Sequence, residues 1–222
     1  MTDVPPPPPP PSYGAPPPGS PTPDVGTALS YGWKKFQQYV GVALGVILIP
    51  LGVSILISLI AQAARSSIFL YVVIELIGFI VNAALAIGIY NVALMITAGE
   101  EPTIGKAFTY DRWGDWILFS IVWGLMIGIG LALCIIPGLA LLAFFGLAPY
   151  YFIDGRMSLG NALTAAREAA SSKSLALPTL LVILVGLAGL LACGIGVFVT
   201  APLAYIAVAF LYRYAAGQPV AA

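Results

Sequence analysis

The sequence predicts an all-α protein, a polytopic membrane bundle of six transmembrane helices. Three observations lead there. Of the 222 residues, 60% are hydrophobic and 8% charged, against about 25% charged in a soluble domain. Several apolar runs reach the roughly 20 residues that a helix needs to cross the hydrocarbon core. None of them alternates with a period of two, which removes the closed barrel, the other structure that satisfies its own backbone in lipid.

Composition also narrows function. Net charge is zero, which argues against nucleic acid as a partner. There is no histidine, so the commonest general base and metal ligand are both missing. Two cysteines are too few for a zinc cluster or a disulfide scaffold. No Gly-x-Ser-x-Gly elbow, phosphate loop or metal-ligand spacing occurs. The expectation is a protein that is not an enzyme and carries no cofactor or metal. Glu100, Glu101, Asp111 and Asp115 read as a solvated loop face, with calcium binding a remote alternative.

Residues 1–23 are a proline-rich tail, unbroken from Pro5 to Pro11 and resumed at Pro16, Pro21 and Pro23. Proline removes the amide donor and fixes φ, so the tail is expected to be disordered, extended polyproline II on the cytoplasmic side. Either it docks an aromatic-lined groove, with Pro5, Pro8, Pro11, Tyr13 and Pro16 as contacts, or it is a solubilising spacer. Prolines stand where a secretory signal would have its charged and apolar regions, so the first apolar run is expected to stay as an anchor.

The membrane domain is expected over residues 24–216, with 217–222 a short C-terminal tail. Asp24 is a helix cap, and Val25, Leu29, Trp33, Phe36 and Val40 share one helical face, with Lys34, Lys35, Gln37 and Gln38 away from it. That pattern predicts a helix at the headgroup level. The spans follow at about 40–61, 68–98, 116–135, 137–153, 175–193 and 198–212. The second is over-long, which predicts tilt or a protruding end. With both termini cytoplasmic, all but Arg65 of the nine Lys and Arg fall on the cytoplasmic side, as the positive-inside rule requires.

Three leads share one template. Asp24-Val-Gly-Thr-Ala-Leu-Ser30, Thr103-Ile-Gly-Lys-Ala-Phe-Thr109 and Ser158-Leu-Gly-Asn-Ala-Leu-Thr164 each place a cap, an aliphatic, Gly, Ala, a large apolar residue and a hydroxyl at the same positions. Each precedes a pair of spans. This predicts three interfacial-helix-plus-hairpin repeats, about 24–98, 103–156 and 158–214, related by an axis along the membrane normal. Leu147-Ala-Pro-Tyr-Tyr-Phe-Ile153 also resembles Thr200-Ala-Pro-Leu-Ala-Tyr-Ile206.

Cys134-Ile-Ile-Pro-Gly138, the run to Asp154-Gly-Arg-Met-Ser158 and the Ala/Ser-rich leads resemble bacterial integral membrane proteins related to the membrane domain of glycerophosphodiester phosphodiesterases. The tail before Val25-Gly-Thr-Ala-Leu-Ser-Tyr-Gly-Trp33 is similar to proline-rich membrane proteins of actinobacteria. The resemblance covers about residues 24–214 and implies a six-helix bundle of unassigned activity. It brings no catalytic domain and no catalytic residue.

Candidate residues are few. Glu75 is the acidic residue well inside an apolar run, where a central charge costs about 3 kcal/mol. With Asn82 and Asn91 it would form an intramembrane polar site. Alternatively, Glu75 reaches the outer interface and Asn82 bonds a neighbouring helix. Cys134 and Cys193 end the outgoing helices of two repeats, where they would form a disulfide or serve as small apolar contacts. Gly124-Leu-Met-Ile-Gly128 reads as helix packing within the protein. Trp113, Trp116, Tyr110, Tyr150, Tyr151, Tyr212 and Tyr214 read as an aromatic belt. The expected function is a scaffold or accessory protein of the cell membrane, docking a protein partner through its tail and interfacial helices. A transporter or permease component for a small solute or lipid is the alternative, and a lipid enzyme a third.

Overall fold

The computed structural model describes residues 23–191 and 194–221. Every regular element among them is helical: α1 (Val25–Gln38), α2 (Val40–Ala63), α3 (Ile68–Leu85), α4 (Ile87–Ala98), α5 (Ile104–Ala107), α6 (Trp113–Leu133), α7 (Ile135–Phe145), α8 (Ala148–Ile153), α9 (Leu159–Ser172), α10 (Ala176–Ala188), a 3₁₀ turn at Gly189–Leu191, and α11 (Val197–Ala216). Five stretches are long and apolar enough to cross a bilayer: Val40–Ala63, Ile68–Ala98, Trp113–Leu133, Ile135–Ile153 and Val197–Ala216. A sixth is reached if α9 and the apolar arm Ala176–Leu191, which meet at a bend of 107°, are counted as one broken span. α9 exposes Arg167 and Glu168, so the arm is the part suited to lipid.

The three leads share their geometry. Asp24 Oδ1 accepts from Thr27 N at 2.7 Å, Thr103 Oγ1 from Lys106 N at 3.3 Å, and Ser158 Oγ from Asn161 N at 3.4 Å. Each bond satisfies an amide left free at a helix start. Four residues into each helix or half-turn, Ala28, Ala107 and Ala162 are fully buried. The closing hydroxyls of Ser30, Thr109 and Thr164 donate to the carbonyls of Gly26, Gly105 and Gly160 at 2.6, 2.9 and 2.9 Å.

Helix α1 packs differently from the expected face. Its buried residues are Ala28, Gly32, Lys35 and Phe36, while Trp33 is exposed. The small pair lets α1 close on α11, where Tyr31 meets Phe210 with ring centroids 4.8 Å apart. Lys35 is drawn inward with this face, its ammonium 5.8 Å from the Tyr31 ring centroid.

The over-long second run is interrupted at the single residue Ala86. α3 pairs with α2, and α4 enters the core, where most of its residues from Ile87 to Thr97 are buried. The most apolar parts of the first two spans are mostly exposed, whereas about half of Ile135–Ile153 and of Val197–Ala216 is buried. The α2–α3 hairpin is therefore peripheral, and α4, α8 and α11 form the centre. In the second hairpin, Gly138 seats the start of α7 on α6, since a Cβ there would lie 2.8 Å from Leu131 Cα. Gly124 and Gly128 make no such contact and are exposed; the internal packing expected of them falls instead to Gly130 and Gly138.

Two tryptophans repair helix breaks. Pro149 has no amide to offer Phe145, and the Phe145 carbonyl accepts from Trp123 Nε1 at 3.2 Å. Just before the α3–α4 interruption, the Ala83 carbonyl accepts from Trp116 Nε1 at 3.0 Å. Backbone groups freed inside lipid need such partners.

Candidate functional site

The centre of the bundle holds a cluster of aromatic rings. Tyr90 of α4 makes edge contacts with Trp116, Tyr150 and Tyr205, at centroid distances of 5.6, 5.3 and 5.2 Å. Tyr150 OH donates to the Tyr205 carbonyl at 2.8 Å, tying α8 to α11 beside Pro202. Tyr212 stacks on Tyr150 and meets Tyr151 edge-on. Trp116, Tyr150, Tyr151 and Tyr212 are thus core residues, all buried, and not part of a surface belt. Aromatic contacts of this kind are worth about 0.5–1.5 kcal/mol beyond their area, and the cluster forms a partition across the bundle.

On one side of the partition lies an apolar cavity of about 400 Å³ between α6–α7 and α10–α11. Tyr90, Tyr150 and Tyr205 close its inner end, and Leu131, Leu187 and Val197 flank it near the turns at Cys134 and Gly194. Its walls are held by Thr200 Oγ1, which donates to the Gly186 carbonyl at 2.7 Å and joins α10 to α11.

On the other side, at the end that carries the leads, a polar cleft of about 300 Å³ runs between α4, α5, the α8 end and α11. Asn91, Lys106, Tyr110, Asp154, Arg156 and Arg213 help to line it. Arg213 is 8% exposed. Its Nε donates to Thr97 Oγ1 at 2.9 Å, and its terminal nitrogens donate to the Gln218 side chain at 3.1 Å and the Leu94 carbonyl at 3.3 Å. Gln218 Nε2 in turn donates to Asp154 Oδ2 at 2.8 Å, which also accepts from Tyr212 OH at 2.6 Å. Burial pushes the Tyr110 hydroxyl above its ordinary pKa. The Arg156 guanidinium holds Asp111 below the usual carboxylate range, across a 2.8 Å ion pair.

The three polar residues expected inside the membrane have separate surroundings. Glu75 is exposed on the peripheral helix α3. Asn82 Oδ1 accepts from Ser54 Oγ of α2 at 2.8 Å, and its amide donates to the Gly78 carbonyl at 3.0 Å. Asn91 Nδ2 donates to the Ala107 carbonyl at 2.8 Å, fixing the second lead to α4. Asn82 therefore bonds a neighbouring helix, and only Asn91 lines the polar cleft. Cys134 is exposed at the α6–α7 turn with its thiol free; Cys193, and with it the proposed bridge, lies outside the described residues. So do Pro5, Pro8, Pro11, Tyr13 and Pro16. Of the acidic loop residues, Asp111 pairs with Arg156, and Asp115 pairs with Arg112 at 2.8 Å. Among the described residues no group of three Cys, Asp or Glu side chains could hold a metal ion.

Sequence reasoning missed Arg213, used there only for topology, and missed Lys35. Two residues before Ala215, Arg213 sits in the last turn of α11 with the ordinary signature of a helix-end cation; its packing on α4 and the fold-back of 217–221, where Ala221 N donates to the Thr97 carbonyl at 3.0 Å, are tertiary features that the local sequence does not show. No family model, no curated protein and no solved structure matches this chain.

Proposed function

We propose that this chain is a multi-pass protein of the cell membrane that holds the apolar chain of a lipid or isoprenoid and moves or presents it, without catalysis. The observation that carries this reading is the apolar cavity bounded by Tyr90, Tyr150 and Tyr205. Its size falls in the range of about 300–1,000 Å³ that suits small-molecule sites, and its lining offers a hydrocarbon no polar competitor beyond tyrosine hydroxyls. The topology that goes with it has six spans, both termini cytoplasmic, and three lead-plus-hairpin repeats. The shared caps, buried alanines and closing hydroxyls of the three leads support the repeat; the placement of Arg65 alone at the opposite end supports the orientation.

The test is lipid analysis of the purified full chain by native mass spectrometry. The wild type is expected to retain an amphiphile through mild delipidation. Leu187→Trp, at an exposed edge of the cavity, is expected to lose it while keeping its helical content and melting temperature. Equal retention by both would remove the cavity as the binding place.

A second reading rests on the proline run in residues 5–18: a scaffold that docks a cytoplasmic or membrane protein through its tail. Deletion of residues 1–23, followed by crosslinking and affinity purification, tests it. A partner retained without the tail would end that version.

A further inference from the structure

The polar cleft beyond the partition carries both signs of charge, and they do not pair with one another. Among the described residues the ion pairs are Arg112–Asp115 and Arg156–Asp111. Arg213, Lys106, Glu100 and Asp154 all line the cleft and none of them joins a salt bridge. A buried guanidinium without a carboxylate is costly unless something compensates it, and Arg213 has neutral partners only: Thr97, the Leu94 carbonyl and Gln218. Asp154 likewise accepts from neutral Tyr212 and Gln218. The Tyr110 hydroxyl is buried there without a hydrogen-bond partner. With Arg156 held by Asp111, the remaining lining charges are two cations and two carboxylates. A simple anion or cation would leave the cleft with net charge and two groups still unmatched.

We infer that this cleft binds a zwitterionic head group in which a phosphate and a primary ammonium are joined by a short linker. The phosphate takes Arg213, Lys106 and the Tyr110 hydroxyl. Guanidinium and ammonium donors to phosphate oxygens are among the stronger hydrogen bonds available. The ammonium takes Glu100 and Asp154. Leu94, Met95 and Ile153 supply an apolar border to the same cleft, which fits the first carbons of a membrane lipid better than a fully hydrated solute. Asn91, held by the Ala107 carbonyl, keeps the lead that carries Lys106 in place. The cleft is separate from the apolar cavity, and its failure as a site would leave the cavity reading standing.

The test uses the full chain in mild detergent, with ligand-dependent melting shifts giving apparent affinity. The probes are short-chain phosphatidylethanolamine, soluble O-phosphoethanolamine, short-chain phosphatidylglycerol and inorganic phosphate at matched ionic strength. Stabilisation by the ethanolamine lipid above the glycerol lipid supports the inference with a lipid source; stabilisation by O-phosphoethanolamine alone supports it with a soluble source. Lys106→Gln and Glu100→Gln, both at exposed positions, are each expected to weaken binding about tenfold, or about 1.4 kcal/mol. Inorganic phosphate or phosphatidylglycerol binding as tightly as its ethanolamine counterpart would overturn it. So would the absence of any shift, or affinities unchanged in both variants.

Discussion

Gly32 of α1 lies so close to the Leu203 carbonyl of α11 that a Cβ on the glycine would come within 2.7 Å of that oxygen. This contact docks the first lead directly onto α11. Gly32→Ala must push the two backbones apart and is expected to lower stability by about 1–3 kcal/mol, read as a lower melting temperature in detergent. Gly26→Ala on the same helix, where a Cβ meets only the Asp24 carboxylate at 3.7 Å, is expected to be neutral or slightly stabilising. Equal effects at both positions would contradict the packing described.

Trp123 supplies the N–H donor that Pro149 cannot offer to the Phe145 carbonyl. Trp123→Phe keeps most of the ring and removes the donor, leaving a carbonyl unpaired within the span. The expected cost is about 1–3 kcal/mol, measured by thermal unfolding. Restoring the amide with Trp123→Phe plus Pro149→Ala is expected to recover part of it.

The Asp111–Arg156 pair links the loop before α6 to the loop after α8. Its carboxyl is depressed in the fold, chiefly by the Arg156 hydrogen bond. The contribution is therefore present above the unfolded value of about 3.9 and is lost as pH falls through the lower folded value. Melting curves of the wild type and Asp111→Asn are expected to differ near neutrality and to converge in strong acid. A gap that persists unchanged would mean that the ion pair is not its source.

Cys134 reports orientation. In a Cys193→Ser background it is the sole thiol, exposed at the turn opposite the leads. A membrane-impermeant maleimide is expected to label it in right-side-out vesicles and not in sealed inverted ones. The reverse pattern would invert the topology and place the polar cleft outside the cell.

What could be read in the sequence depended on which contrasts survive in lipid. Span positions came from hydropathy, and the caps at Asp24, Thr103 and Ser158 came from local chemistry that needs no tertiary context. Side-chain facing did not follow, because in a bilayer the outer surface of a helix is as apolar as its core. Periodicity therefore could not separate Tyr150 and Tyr212 in the centre from true interfacial aromatics, nor show that Gly124 and Gly128 face outward. Helical spacing sets Lys35 away from the large apolar residues, whereas the small residues Ala28 and Gly32 mark the face of α1 that turns inward and takes Lys35 with it. The α3–α4 interruption at Ala86 has no proline to announce it; Trp116, more than thirty residues away by the contact to Ala83, partners a carbonyl just before it.

The most direct test of the central claim is photo-crosslinking in intact membranes with a lipid carrying a diazirine near the end of its acyl chain, followed by peptide mapping. The account predicts adducts on cavity residues such as Ile127, Leu142 and Ile183, diminished in Leu187→Trp. Adducts confined to the exposed α2–α3 hairpin, and indifferent to Leu187→Trp, would show ordinary annular lipid and contradict a binding cavity.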